Sequence, residues 1–217
     1  MPRKRPTASA LREPLAYALG TPAKVATLRA LAGAGGPITQ RDVARRAGVQ
    51  HRSIQLALDD LVRLAIVTRV EGGRDYLVRF NCDHRLAPAL LALFTGEAGH
   101  FLALRSHLSD ITDKIGRRTR LVSVVLFGSV ARSADGLDSD CDLLVVARDA
   151  AGLGAALSAF ESATEEIRLT YGCRLAPVGY VAKDAQRRWR DRTLPFADVR
   201  RDGFVLFGPS LGEGFGD

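Results

Sequence analysis

Cysteine is scarce in this chain. It has three, Cys82, Cys141 and Cys173, an odd number with no pair at metal-ligand or redox spacing. That count argues against a disulfide framework and for a reducing, cytoplasmic setting. Histidine is nearly as sparse. His100, His107 and Asp110 fall at seven- and three-residue intervals along one helical segment, and they read as surface polar residues rather than metal ligands. No apolar run is long enough to span a membrane, so no membrane partner is expected. The positive N-terminus, Met1-Pro-Arg-Lys-Arg-Pro6, is followed by no apolar signal region. Acidic residues are short in one part only. Residues 1–80 hold 14 Lys and Arg against 6 Asp and Glu, whereas residues 81–217 hold 17 against 18.

The 217 residues are enough for two small domains or one large one. With 47% apolar and 25% charged residues, the composition is that of an ordinary folded protein. The whole of the +7 net charge lies in the first part. A basic module joined to a near-neutral one suggests that the first part meets a polyanion. Residues 1–14 read as a basic, solvated arm.

From Pro22 to Phe80 the pattern is three helices and a hairpin. Thr21 is the expected N-cap of the first helix, with Pro22 at its first position and Val25, Leu28 and Leu31 as its apolar stripe. Thr39 and Asp42 bracket a second N-terminus as an approximate capping box. Val43, Ala44 and Ala47 face inward on that short helix, and Arg41, Arg45 and Arg46 face outward. The turn Ala47-Gly48-Val49 precedes a third helix with Ile54, Leu58, Leu61 and Leu64 at helical spacing. Two helices joined by a short turn with glycine make a helix-turn-helix. Its recognition helix would present Gln50, His51, Arg52, Ser53 and Gln55, side-chain types suited to reading base edges. Two alternating strands around Gly72-Gly73 form a β-hairpin, with Arg69, Arg74 and Arg79 on or beside it.

Helix-turn-helix plus hairpin resembles the winged helix of bacterial transcriptional regulators, over residues 15–80. The resemblance implies binding to double-stranded DNA and, because such regulators read paired half-sites, a homodimer. A winged helix that binds only protein is the alternative. Residues 81–116 read as a helical connector, with Gly96 and Gly99 breaking Leu86–Phe94 from Ala98–Ile115.

Residues 117–217 carry the chemistry. Val122 to Phe127 and Leu143 to Ala147 are short, β-branched runs bounded by turn residues, as buried strands are. Between them lie Gly128-Ser129-Val130-Ala131-Arg132 and Ser139-Asp140-Cys141-Asp142. Residues two apart on a strand share a face, so Asp140 and Asp142 are expected side by side. Two adjacent carboxylates repel unless a cation lies between them. Mg²⁺ takes such oxygen ligands and shares them with a substrate phosphate.

The Gly-Ser pair and the Asp-x-Asp pair resemble the polymerase-β-like nucleotidyltransferase superfamily, and its minimal bacterial branch most closely. The similarity covers roughly residues 115–208. It implies an α/β domain with a mixed sheet, and an α+β two-domain chain overall. It further implies that Gly128, Ser129 and Arg132 bind a nucleoside triphosphate and that Asp140 and Asp142 hold Mg²⁺. Members that catalyse transfer carry a third carboxylate on a later strand. Here that strand is Arg174 to Val181, and the position falls on Ala176. Asp184, Glu165 and Glu166 are the other acids considered, none at a matching strand position.

Three functions follow. The first is a DNA-binding transcriptional regulator whose second domain binds nucleotide and Mg²⁺ with weak or no transfer activity. The second is a working nucleotidyltransferase that moves a nucleotide monophosphate to a hydroxyl of protein, RNA or a small molecule. The third is a toxin-antitoxin-type protein that binds a small protein partner.

Overall fold

Helix α1, Pro22–Ala32, begins where its capping residues place it: the Thr21 hydroxyl accepts from the Lys24 N–H at 3.3 Å, with Pro22 at the first helical position. The computed structural model describes residue 15 and residues 18–72 and 75–214; the basic arm and Arg74 lie outside the described residues. After strand β1, Ile38–Thr39, comes α2, Gln40–Ala47. Thr39 caps it, accepting from the Asp42 N–H at 3.1 Å while its hydroxyl donates to the Asp42 carboxylate at 2.8 Å. Gly48 then turns the chain at φ 63°, where a side chain would be strained. Helix α3, His51–Arg63, buries Ile54, Leu58 and Leu61 completely. The hairpin is β2, Val67–Gly72, with β3, Asp75–Phe80, in a register that runs from Val67 opposite Phe80 to Gly72 opposite Asp75. Strand β1 adds to β3, giving the sheet order β1-β3-β2. Three helices on this small sheet are a winged helix. Lys24 of α1 reaches Asp60 of α3 at 2.8 Å.

The next helix departs from expectation. α4 is continuous over Ala87–Gly116, with no break at Gly96 or Gly99. Each glycine costs a helix about 1 kcal/mol relative to alanine. Burial of Leu90 and Phe94 at one end and Leu104, Leu108, Ile111 and Ile115 at the other outweighs that cost. The sequence pattern was expected to hold no run long enough to span a membrane. The continuous helix is long and apolar enough, by length and composition, to cross a bilayer. Within its most apolar stretch Ala87, Leu90, Phe94 and Leu104 are buried, whereas Leu93 and Leu102 are exposed.

The chain divides into two compact units between Gly99 and His100. The second unit is built on a four-stranded mixed sheet. Its elements are β4, Leu121–Phe127; the single turn α5, Gly128–Ala131; β5, Cys141–Ala147; α6, Ala150–Tyr171; β6, Leu175–Val181; α7, Ala182–Arg190; α8, Phe196–Asp202; β7, Phe204–Phe207; and α9, Leu211–Gly214. The strand order is β6-β5-β4-β7, with β5 and β6 parallel and the other pairs antiparallel. The basic segment 183–201 runs through two helices, α7 and α8.

Both faces of this sheet are covered, so β4 and β5 are apolar without alternation. On one face Val124, Leu126, Cys141, Leu143 and Val145 pack with Leu108, Ile111, Phe160 and Ile167. On the other, Val125, Phe127, Leu144 and Val146 pack with Ala185, Phe196, Val199 and Leu211.

Replacing Leu58 by alanine removes a fully buried side chain from the winged-helix core. The expected cost is about 2–5 kcal/mol for the first unit. Urea denaturation followed by circular dichroism should show an earlier transition for that unit.

Candidate functional site

The end of β4 and the start of β5 are locked by register: Phe127 lies opposite Asp142 and Leu126 opposite Leu143. The chain leaves β4 at Gly128 with φ 80°, a conformation that favours glycine. A Cβ at Gly128 would stand 2.0 Å from Oδ2 of Asp142, so only a glycine backbone can pass under that carboxylate. Ser129 follows, half-buried, on α5. That helix is one turn long, so what it offers an anion is its few free N–H groups and not an extended dipole.

Strand β5 begins at Cys141, so Asp140 stands just before the strand and not on it. This corrects the expectation of two carboxylates on one strand face. Asp140 is exposed and Asp142 half-buried. The two still interact. The Asp142 carboxyl is held above the ordinary carboxylate range, first by burial, then by the charge of Asp140, with a smaller push from Asp198. Arg132 acts in the opposite direction.

Arg132 itself is anchored. Its guanidinium lies 3.3 Å from the Asp202 carboxylate, which also accepts from Arg201 at 2.8 Å. Arg201 bonds Asp198 at 2.7 Å. The ion pairs are partly exposed, so each contributes about 0–1 kcal/mol. Their main effect is to fix the Arg132 charge beside Asp142. Asp198 and Asp202 escaped the sequence reading because they lie on α8, more than fifty residues after Asp142. The only local signal for them is the helical spacing of Asp198, Arg201 and Asp202.

Ala176 lies directly opposite Asp142 on the neighbouring parallel strand β6. The other acids considered are elsewhere. Asp184 pairs with Arg187 on α7 and Glu165 with Arg168 on α6, while Glu166 meets His107 at 3.0 Å. Among the described residues no group of three His, Cys, Asp or Glu side chains is placed to hold a metal ion. Asp140 and the raised Asp142 beside it fit a cation that takes one or two carboxylates and completes its shell with phosphate and water. They do not fit a centre that needs three. His100 and His107 flank the Tyr171 ring at 5.4 and 5.7 Å, which accounts for both without a metal.

In the first unit Gln50 stands at the N-terminus of α3 and, with His51 and Arg52, is exposed; Ser53 and Gln55 are half-buried. Among the described residues, the side chains of Gln50, His51 and Arg52 have no hydrogen-bond or ion-pair partner. The acids further along the helix are paired. Asp59 takes Arg69 at 2.5 Å, and Asp60 takes Lys24 at 2.8 Å. The N-terminal end of α3 is therefore left cationic, and Arg69 is turned toward α3.

Asp142 also gives a signed pH prediction. A carboxyl raised in the folded state favours folding below the ordinary carboxylate range. That contribution is lost as pH rises through the raised value. With divalent ions chelated, Asp142→Asn should therefore be more stable than the parent chain at neutral pH. The difference should vanish in acid, as thermal denaturation across pH would show.

Two family models match the chain: the MarR family over residues 21–75 and the nucleotidyltransferase domain over residues 108–174. No curated protein matches. Among solved structures, a toxin-antitoxin with AMP-PNP is similar at 17% identity, over 48% of this chain and 77% of that one, with a TM-score of 0.30. Human N-acetylserotonin methyltransferase in complex with SAM is similar at 18% identity, over 52% of this chain and 36% of that one, with a TM-score of 0.28. Residues 21–75 are thus a MarR-family winged-helix domain and residues 108–174 a nucleotidyltransferase domain, joined in one chain.

Proposed function

We propose that this protein is a DNA-binding transcriptional regulator whose second domain binds a nucleoside triphosphate with Mg²⁺ and transfers it weakly or not at all. The observation that carries this reading is Ala176 opposite Asp142. A methyl group neither binds a cation nor takes a proton from an attacking hydroxyl. Loss of a general base alone costs roughly 10²–10⁴ in rate. Gly128 and Ser129 would approach the phosphates, and Asp140 and Asp142 would hold the cation. Bound Mg²⁺ would supply charge neutralisation between the two carboxylates and the triphosphate. Arg132, held by Asp202, would add a fixed positive charge.

On the DNA side, Gln50, His51 and Arg52 would enter the major groove from the N-terminal end of α3, with Ser53 and Gln55 behind them. Duplex binding should weaken steeply with salt, by a slope of about −0.9 in log K for each phosphate neutralised. Arg52→Ala should cost about 1–3 kcal/mol if Arg52 reads a base. Fluorescence anisotropy with a promoter fragment measures both, and no binding even at low salt would remove this half of the reading. For the second half, titration calorimetry with each ribonucleoside triphosphate and Mg²⁺ should show binding that Asp142→Ala abolishes. Heat that is identical in the variant would count against it.

A second reading, a working nucleotidyltransferase, is favoured by one observation: Asp198 is near enough to raise Asp142. A third carboxylate would then come from a helix. Transfer of labelled nucleotide to an acceptor in cell extract, lost in Asp198→Asn, would establish that reading in place of the first.

A further inference from the structure

Cys141 and Cys173 have no role in the nucleotide site, yet the fold brings them together. Their sulfurs lie 2.8 Å apart, although the residues stand 32 positions apart in sequence. The parity of β5 explains the meeting. Cys141 opens the strand on the face covered by α4 and α6, whereas Asp142, one residue on, turns to the opposite face. Cys173 follows the end of α6, just past Gly172, which caps the helix at φ 78°. The backbone then ties the two segments, because the Cys141 N–H donates to the Arg174 carbonyl at 2.7 Å and Cys141 is paired with Leu175.

The two cysteines differ in access. Cys141 is fully buried. Cys173 is half-buried and lines a cavity of about 590 Å³, together with Leu104, Val130, Leu137 and Tyr171. A small oxidant in that cavity meets Cys173 and not Cys141.

We propose that Cys141 and Cys173 are a reversible redox pair that forms an intramolecular disulfide when a hydroperoxide reaches the cavity. One oxygen of hydrogen peroxide adds to the Cys173 sulfur, giving a sulfenic acid and one water. The Cys141 sulfur then displaces the sulfenic oxygen, which leaves as a second water. The S–S bond forms, both S–H bonds break, and the two electrons lost by the sulfurs reduce the peroxide. A disulfide bond is about 2.0 Å long, so closure from 2.8 Å needs less than an ångström of movement. The bond staples the starts of β5 and β6 where Asp142 faces Ala176, without touching either of those side chains. A small-molecule or protein dithiol would reopen it.

The test uses the full chain and reads the bond itself, so it is independent of nucleotide binding. The folded protein is treated with hydrogen peroxide, remaining thiols are alkylated, and the sample is digested with trypsin without reduction. The expected product is the peptide Ser133–Arg148 linked to Leu169–Arg174, two hydrogens lighter than the sum of the two. It should disappear on reduction and in Cys173→Ser, and persist in Cys82→Ser. The intact oxidised protein should also melt at a higher temperature than the reduced one. Alkylation of Cys141 and Cys173 to the same extent as exposed Cys82 would overturn the proposal. So would Cys173 recovered only as sulfinic or sulfonic acid, or linkage found only between copies through Cys82.

Discussion

Strand β5 is buried on both faces, and much else in the second unit follows from that. A strand covered on two sides has no solvent face on which to place a charge, so polar residues can enter only at its ends. Asp142 sits at that limit, half-buried, with its carboxylate over Gly128. The same limit forces β4 to leave through a glycine and places Arg132 and α8 around the opening. A single-residue shift of β5 would carry Asp142 to the other face and Cys141 into its place. The register, seven residue pairs with β6 and six with β4, holds it where it is.

The site that results is electrostatically unbalanced. Burial and Asp140 both act against ionisation of Asp142, and Arg132 offsets them only in part. The first unit shows the reverse arrangement. There Asp59 and Asp60 are matched by Arg69 and Lys24, and the unmatched side chains gather at the other end of the recognition helix. Uncompensated negative charge thus lies in one unit and uncompensated positive charge in the other.

Local chemistry was legible in the sequence. Thr21 with Pro22, Thr39 with Asp42, and Gly48 each declare a helix boundary through short-range bonds, and each boundary stands there. The hairpin and the strands on either side of Gly128 were legible for the same reason. Contacts between distant segments were not. Nothing near Gly96 or Gly99 reveals that apolar burial on both sides will carry the helix through them. Asp198 and Asp202 reach the site from α8, and Cys173 reaches Cys141 across the whole of α6. Asp140 lies outside β5 because the strand begins one residue later than its alternation suggests.

Helix α4 supplies side chains to the interiors of both units. Its first turns supply Leu90 and Phe94 to one core, and its last turns supply Leu108, Ile111 and Ile115 to the other. A fragment ended at Phe80 would strip the winged helix of part of its interior, and a fragment begun at Arg117 would strip the sheet of a covering helix. The two modules therefore share a structural part that neither can surrender.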